Sequence, residues 1–211
     1  MSANTHKSRQ PFGVVILAAG ASSRMGRPKL LLKWGDTTVI GHIIRQWQAL
    51  NASQIVVVHR RNDSPLLEEL VRLNFPSQNC IENPDSGRGM FSSIQCAARW
   101  TGWMDNTMSR AIVLGDQPHL HSDTLQALMD FHFSHAKAIC QPLFEGRERH
   151  PVMLPTEAFN ALRDANAETL KDFLKLINCP RVLCPMKDAG LALDMDTPED
   201  YNKLKHLISA K

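Results

Sequence analysis

Two cations on one small-residue loop, and three carboxylates that each follow an apolar run, are the side chains of this sequence best placed to do chemistry. The cations are Arg24 and Lys29, inside VVILAAGASSRMGRPKLLL at residues 14–32. Val14, Val15, Ile16 and Leu17 form a β-branched run without alternation, the pattern of a strand buried on both faces. It breaks into Ala18, Ala19, Gly20 and Ala21, where no side chain exceeds a methyl group, so a ligand can approach the main chain and meet its N–H groups. Gly26 and Pro28 shape the chain between a guanidinium fork and a mobile ammonium, a pair that suits a polyphosphate. The same residues also describe an ordinary tight turn with two solvated cations. Neither the G-x-x-x-x-G-K-[ST] loop nor the G-x-G-x-x-G spacing is present.

The carboxylates are Asp116, in AIVLGDQP, and Asp194 and Asp196, in LDMDTPEDY. A lone carboxylate after a strand is most simply a helix cap. Facing a polyphosphate it would repel its ligand unless a cation lay between them, which points to Mg²⁺, a hard ion that takes one or two carboxylates and phosphate oxygens. Asp194 and Asp196 share one face of an extended segment that ends a strand, because alternate residues point the same way. Thr197 caps a helix starting at Pro198, with Glu199 and Asp200 as first-turn charges suited to the helix dipole.

The string LAAGASSRMGRPKLLL resembles the signature loop of the nucleotidylyltransferases that load nucleotides onto molybdopterin, nearest the molybdenum cofactor cytidylyltransferase branch. The resemblance extends through Gly-Asp-Gln-Pro and Leu-Asp-Met-Asp-Thr-Pro-Glu-Asp. It implies a Rossmann-like, three-layer αβα nucleotidyltransferase fold and transfer of CMP from CTP to molybdopterin with release of pyrophosphate and Mg²⁺ as cofactor. It makes Arg24, Lys29 and Asp116 catalytic. It sets Leu17, Ala18, Ala19, Gly20, Arg24, Lys29, Asp85, Gly89 and Ser93 against the nucleotide, and Gln117 and His150 on the acceptor side. The metal falls to Asp116 with Asp194 or Asp196, and a molybdoenzyme or its chaperone becomes a partner. Two departures stand out. Arg149 occupies the glycine position of the family's Gly-His-Pro, and a Gly-Asp-x-Gly-Ala-Arg string is missing. The role of Arg88 is open, and His150 reads equally as a structural histidine. Alternatives are a guanylyltransferase, a sugar- or alcohol-phosphate nucleotidylyltransferase, and a non-catalytic cofactor-delivery protein.

Positioning these residues requires alternating strands and helices. Ile40, Ile43, Ile44, Trp47 and Leu50 predict a helix over residues 38–50, and the run Gln54-Ile-Val-Val-Val-His59 a second strand. A helix with Pro65 in its first turn is expected over 64–73, one closing at Trp100 and capped by Ser92 or Ser93, one over 122–135, and one begun near Glu168; Ala138 to Pro142 reads as a strand. This order predicts βαβ units and a mostly parallel sheet covered on both faces, with ligands at the strands' carboxyl ends. The loops after Leu17, Glu82, Leu114 and Leu193 then surround one crevice.

A chain of 211 residues suits one such domain, expected over 13–211 behind a polar tail at 1–12. The net charge of +3 argues against nucleic acid or a membrane surface as partner, so any anion site is local. Five cysteines with no C-x-x-C predict reduced, mostly buried thiols, and with no apolar N-terminal segment the expected location is cytoplasmic.

Overall fold

β1 (Phe12–Leu17) is the central strand, and it is apolar on both faces because both faces are covered. A computed structural model describes residues 10–209, of which the side chains of 207–209 are left aside. After β1 come a two-strand hairpin, β2 (Lys33–Trp34) and β3 (Thr37–Thr38), then α1 (Val39–Ala49), β4 (Gln54–Arg60) and α2 (Ser64–Arg72). β5 (Cys80–Asn83), α3 (Met90–Arg99), β6 (Ser109–Leu114) and α4 (Ser122–Ser134) complete the parallel part. The second half runs β7 (Ile139–Phe144), β8 (Arg147–Glu148), β9 (Val152–Pro155), α5 (Thr156–Ala161), α6 (Leu170–Leu176), β10 (Arg181–Pro185) and α7 (Pro198–Ser209).

The main sheet has the order β10-β7-β9-β6-β1-β4-β5, with β8 paired to β7. Every pairing along the path is parallel except those of β9, which runs antiparallel to β6 and β7. Alternation along the strands feeds two cores. Val14, Ile16, Val57, Ala111 and Val113 meet Ile43 and Trp47 of α1, Leu66 and Leu70 of α2, Leu128 of α4 and Leu204 of α7. Val15, Val56, Val58, Ile112 and Val152 meet Ile94 of α3, Phe159 of α5 and Phe173 of α6. The result is the three-layer αβα architecture expected from the strand–helix alternation. Among the described residues, no helix is long and apolar enough to cross a membrane.

Four details differ from the sequence reading. Phe12, assigned to the tail, opens β1 and is 2% exposed; residues 1–9 lie outside the described part. The helix capped by Ser92 or Ser93 starts earlier, at Met90. Gly89 precedes it with φ 90°, and both serine hydroxyls accept from the buried Asn83 amide, at 2.8 and 2.9 Å. No strand ends at Leu193, which instead leaves a short 3-10 turn at Ala189–Ala192 closed by Asp188, whose carboxylate accepts from Gly190 N–H. All five cysteines are free, but only Cys140 and Cys184 are buried, the other three being half-buried; burial raises every thiol pKa, that of Cys140 to about 12.

Candidate active site

The loop after β1 and the loop after β6 lie side by side because their strands pair in register from Phe12↔Ser109 to Leu17↔Leu114. Gly115 then crosses Leu17 closely, its N–H donating to Leu17 O at 3.1 Å; a Cβ on Gly115 would lie 2.7 Å from that carbonyl oxygen. Only a residue without a side chain brings Asp116 this near to the β1 loop. Behind the loop, Ser22 adopts φ 51°, Gly26 turns the chain at φ 67°, and Lys29 opens the short turn Lys29–Leu31.

Four sequence-predicted residues meet here. Lys29 Nζ donates to Asp116 Oδ2 at 2.6 Å and to Asp196 Oδ1 at 3.2 Å, and Arg24 Nη2 reaches Asp196 Oδ2 at 2.8 Å. Burial by itself would lower the Lys29 pKa, but the charge and hydrogen bond of Asp116, with those of Asp196, outweigh it and leave the ammonium above its ordinary value. Asp116 Oδ1 is buried and has no protein partner. Asp194, on the other side of the fully buried Met195, accepts from Gln117 Nε2 at 3.1 Å. The segment is anchored by Asp200, whose Oδ2 accepts from Thr197 N–H at 2.9 Å while Thr197 Oγ1 accepts from Asp200 N–H at 3.2 Å, a reciprocal cap on α7.

A cavity of about 430 Å³ opens beside this cluster. Leu17, Ala18, Ala19 and Gly20 line it with Lys29 and Asp116, and Gly89, Met90 and Ser93 close the far side. Asp85 does not line it; its backbone N–H instead donates to Asn83 Oδ1 in the turn before α3. Arg24 likewise stays outside, mostly exposed, acting only through Asp196. A second cavity of about 370 Å³ lies along the β1 loop from Ser22 to Leu31. Arg60, at the carboxyl end of β4, lines both cavities and is tied to Asp63 at 3.1 Å, a residue the sequence reading missed. The rule that ligands gather at the carboxyl ends of parallel strands applies to β4 as much as to its neighbours, and that was the available signal.

The two residues expected on the acceptor side divide. Gln117 is occupied with Asp194. The peptide bond between His150 and Pro151 is cis. His150 Nδ1 lies 3.4 Å from Ile112 O; since a carbonyl only accepts, that bond fixes the proton on Nδ1. Burial lowers the His150 pKa, partly offset by this bond and by Asp116 and Asp194. His150 lines another cavity, of about 620 Å³, between the β7–β8 hairpin and α6.

The sequence pattern of the MobA-like NTP transferase domain matches residues 14–182, four-fifths of the chain and nearly the whole sheet. The chain belongs to that family. It is a nucleotidyltransferase enzyme. It is 28% identical over 189 residues to the molybdenum cofactor cytidylyltransferase of Escherichia coli K12, covering 89% of this chain and 92% of that one. The fold is similar to a nucleotidyl transferase from Methanothermobacter thermautotroptrophicus, at TM-score 0.76 and 17% identity over 95% of this chain and 99% of the other. It is also similar to Rv0371C of Mycobacterium tuberculosis H37Rv, solved in complex with manganese, at TM-score 0.67 and 22% identity over 93% and 98%.

Proposed function

We propose that this nucleotidyltransferase transfers CMP from CTP to the phosphate of molybdopterin, releases pyrophosphate and works with Mg²⁺. The observation that carries the reading is the meeting of Lys29, Asp116 and Asp196 at the mouth of the 430 Å³ cavity. The small-residue loop of that cavity leaves backbone N–H groups open to a triphosphate, and the curated relative at 28% identity carries the pterin and cytidine assignments.

The residues fit a hard divalent cation. Asp116 offers a buried oxygen, Oδ1, without a partner, and Asp196 brings a second carboxylate to the same lysine that Asp116 Oδ2 meets. Two carboxylates plus phosphate oxygens are what Mg²⁺ accepts. Asp116 and Asp196 would hold it, with Asp194 kept on Gln117 as a support. When bound, the ion draws charge from the α-phosphate. Lys29 orients the triphosphate and neutralises the departing pyrophosphate; Arg24 steadies Asp196. An oxygen of the acceptor phosphate forms a bond to the α-phosphorus as the bond to pyrophosphate breaks. That oxygen is already ionised, so alignment and charge neutralisation suffice and no side chain need take its proton.

The test is pyrophosphate release by the purified protein with each triphosphate and with molybdopterin, sugar phosphates or no acceptor. Release that depends on CTP, molybdopterin and Mg²⁺ together is the expected result. Release with a sugar phosphate in place of the pterin would overturn the acceptor, and activity without divalent metal would overturn the metal assignment.

A further inference from the structure

The 620 Å³ cavity beside the β7–β8 hairpin shares only His150 and Met90 with the residues placed above, and its charge is one-sided. Arg147, Arg149 and Lys171 line it. Its one carboxylate, Glu148, is already bound to Arg181 at 2.7 Å. Among the described residues none of Arg147, Arg149 and Lys171 has an ion-pair partner, and Arg149 Nε is buried without any hydrogen-bond partner.

The fold sets this up locally. Glu145 at φ 49° and Gly146 at φ 71° make the tight turn between β7 and β8, pairing Phe144 with Arg147 and Leu143 with Glu148. Arg147, Glu148 and Arg149 all border the cavity, and Glu148 there meets Arg181 of β10. Arg149 N–H donates to Pro142 O at 2.9 Å, which fixes the backbone from which its guanidinium extends. A buried guanidinium nitrogen lacking an acceptor is costly unless a ligand supplies one.

The cavity adjoins the nucleotide cavity. Met90, 43% exposed at the start of α3, lines both, and His150, which lines the basic cavity, feels the charge of Asp116. Arginine forks match the geometry of a phosphate monoester.

We propose that this basic cavity seats the acceptor, with Arg149 and Arg147 gripping its phosphate and Lys171 closing the charge from α6. The inference rests on the nucleotidyl-transfer reading above and adds the acceptor subsite to it. Arg149 is then the specificity-determining residue on the acceptor side: it selects substrates that present a doubly charged phosphate next to the α-phosphorus.

The experiment measures equilibrium binding of CTP, of molybdopterin and of inorganic phosphate to the intact protein and to Arg149→Gln, Arg147→Gln and Arg149→Lys. Arg149→Gln is expected to weaken both molybdopterin and phosphate at least tenfold, leave CTP within twofold, and raise the acceptor KM rather than lower kcat. Arg149→Lys should recover most of the loss. Equal phosphate and molybdopterin affinity in wild type and Arg149→Gln would overturn the site, and so would a parallel loss of CTP, which would assign the cavity to the donor. If the wild-type protein transferred nothing to molybdopterin yet bound phosphate through Arg149, the acceptor identity would fall and the anion subsite would stand.

Discussion

The Lys29 ammonium lies 2.6 Å from Asp116 and 3.2 Å from Asp196, so one half-buried cation bridges two carboxylates from distant parts of the chain. A single positive charge occupies the place where two negative charges would hold a divalent ion. On the proposed mechanism Lys29 and the metal would compete in the nucleotide-free protein, and the triphosphate would relieve the competition by giving Lys29 a new partner. Lys29→Ala is expected to bind Mn²⁺ or Mg²⁺ more tightly than wild type in the absence of nucleotide, by calorimetry. It should also slow transfer about ten- to a hundredfold, the value of roughly 1.5–3 kcal/mol for one charged hydrogen bond. Weaker metal binding in the variant would show that Lys29 assists the site rather than occupying it.

The carboxylates are not equivalent. Asp116 and Asp196 converge, whereas Asp194 is bound to Gln117 at 3.1 Å. Asp116→Asn should keep the fold and remove most turnover, because an amide cannot offset the charge of a cation. Asp196→Asn should weaken metal binding at least tenfold more than Asp194→Asn. The reverse order, by metal titration of the two variants, would transfer the second ligand to Asp194.

Gly115 is the hinge point between strand and carboxylate. A Cβ there would meet Leu17 O at 2.7 Å and Leu30 Cδ2 at 3.1 Å, and the first of these is backbone that cannot move aside cheaply. Gly115→Ala is predicted to destabilise the protein by about 1–3 kcal/mol. In a chain of this size that lowers Tm by about 2–4 °C for each kcal/mol. It should also move Asp116, so metal affinity should fall in the same variant. An unchanged thermal transition with unchanged metal affinity would show that the crossing has slack.

Much of the scaffold was legible because its strands are continuous apolar runs and its helices keep a strict 3.6-residue stripe. β1, β4, α1 and α4 follow from Val14–Leu17, Ile55–Val58 and the spacings of Ile40 and Leu125. Lys29 and Asp116 were legible as candidates, since they sit just beyond two such runs. Their contact with Asp196 was not, because it depends on how a 3-10 turn and α7 return over the sheet. Ser92 and Ser93 show the limit of reading residues by type: both are good caps in general, yet here the Asn83 amide claims their oxygens and Gly89 precedes the helix. Arg60 was hidden because His59-Arg60-Arg61 resembles a charged strand end, and nothing in spacing reveals that its side chain turns along the cavity.

His132 offers a pH test that is independent of the active site. It is 1% exposed on α4, its Nδ1 has no partner, and burial, with the nearby His135, depresses its pKa from 6.5 to about 4. The unfolded chain takes up this proton near pH 6.5 and the folded chain does not until about pH 4. The stability contributed by a neutral His132 is therefore complete above pH 6.5 and lost as pH falls toward 4, by roughly 3 kcal/mol in all. His132→Phe should flatten that part of the profile in urea melts between pH 7 and 4.5. An equally steep decline in the variant would place the acid sensitivity elsewhere.

The donor base is the last and most exacting prediction. Ala19 lines the 430 Å³ cavity, in the loop Leu17-Ala18-Ala19-Gly20, where a glycine would leave out one methyl group. One added methyl group crowds a purine more than a pyrimidine. A methyl contact rarely discriminates by more than roughly 1–3 kcal/mol, so it supplies part of the selectivity and the loop's backbone groups must read the base edge for the rest. When the wrong base binds, those groups are left unpaired in a partly buried place, which adds a larger penalty than the methyl does. CTP should therefore be preferred to GTP, and Ala19→Gly should relax the preference without reversing it. The measurement is transfer to molybdopterin with each triphosphate supplied alone, to wild type and variant. Equal or better use of GTP by the wild-type protein would remove the cytidine assignment and leave nucleotidyl transfer intact.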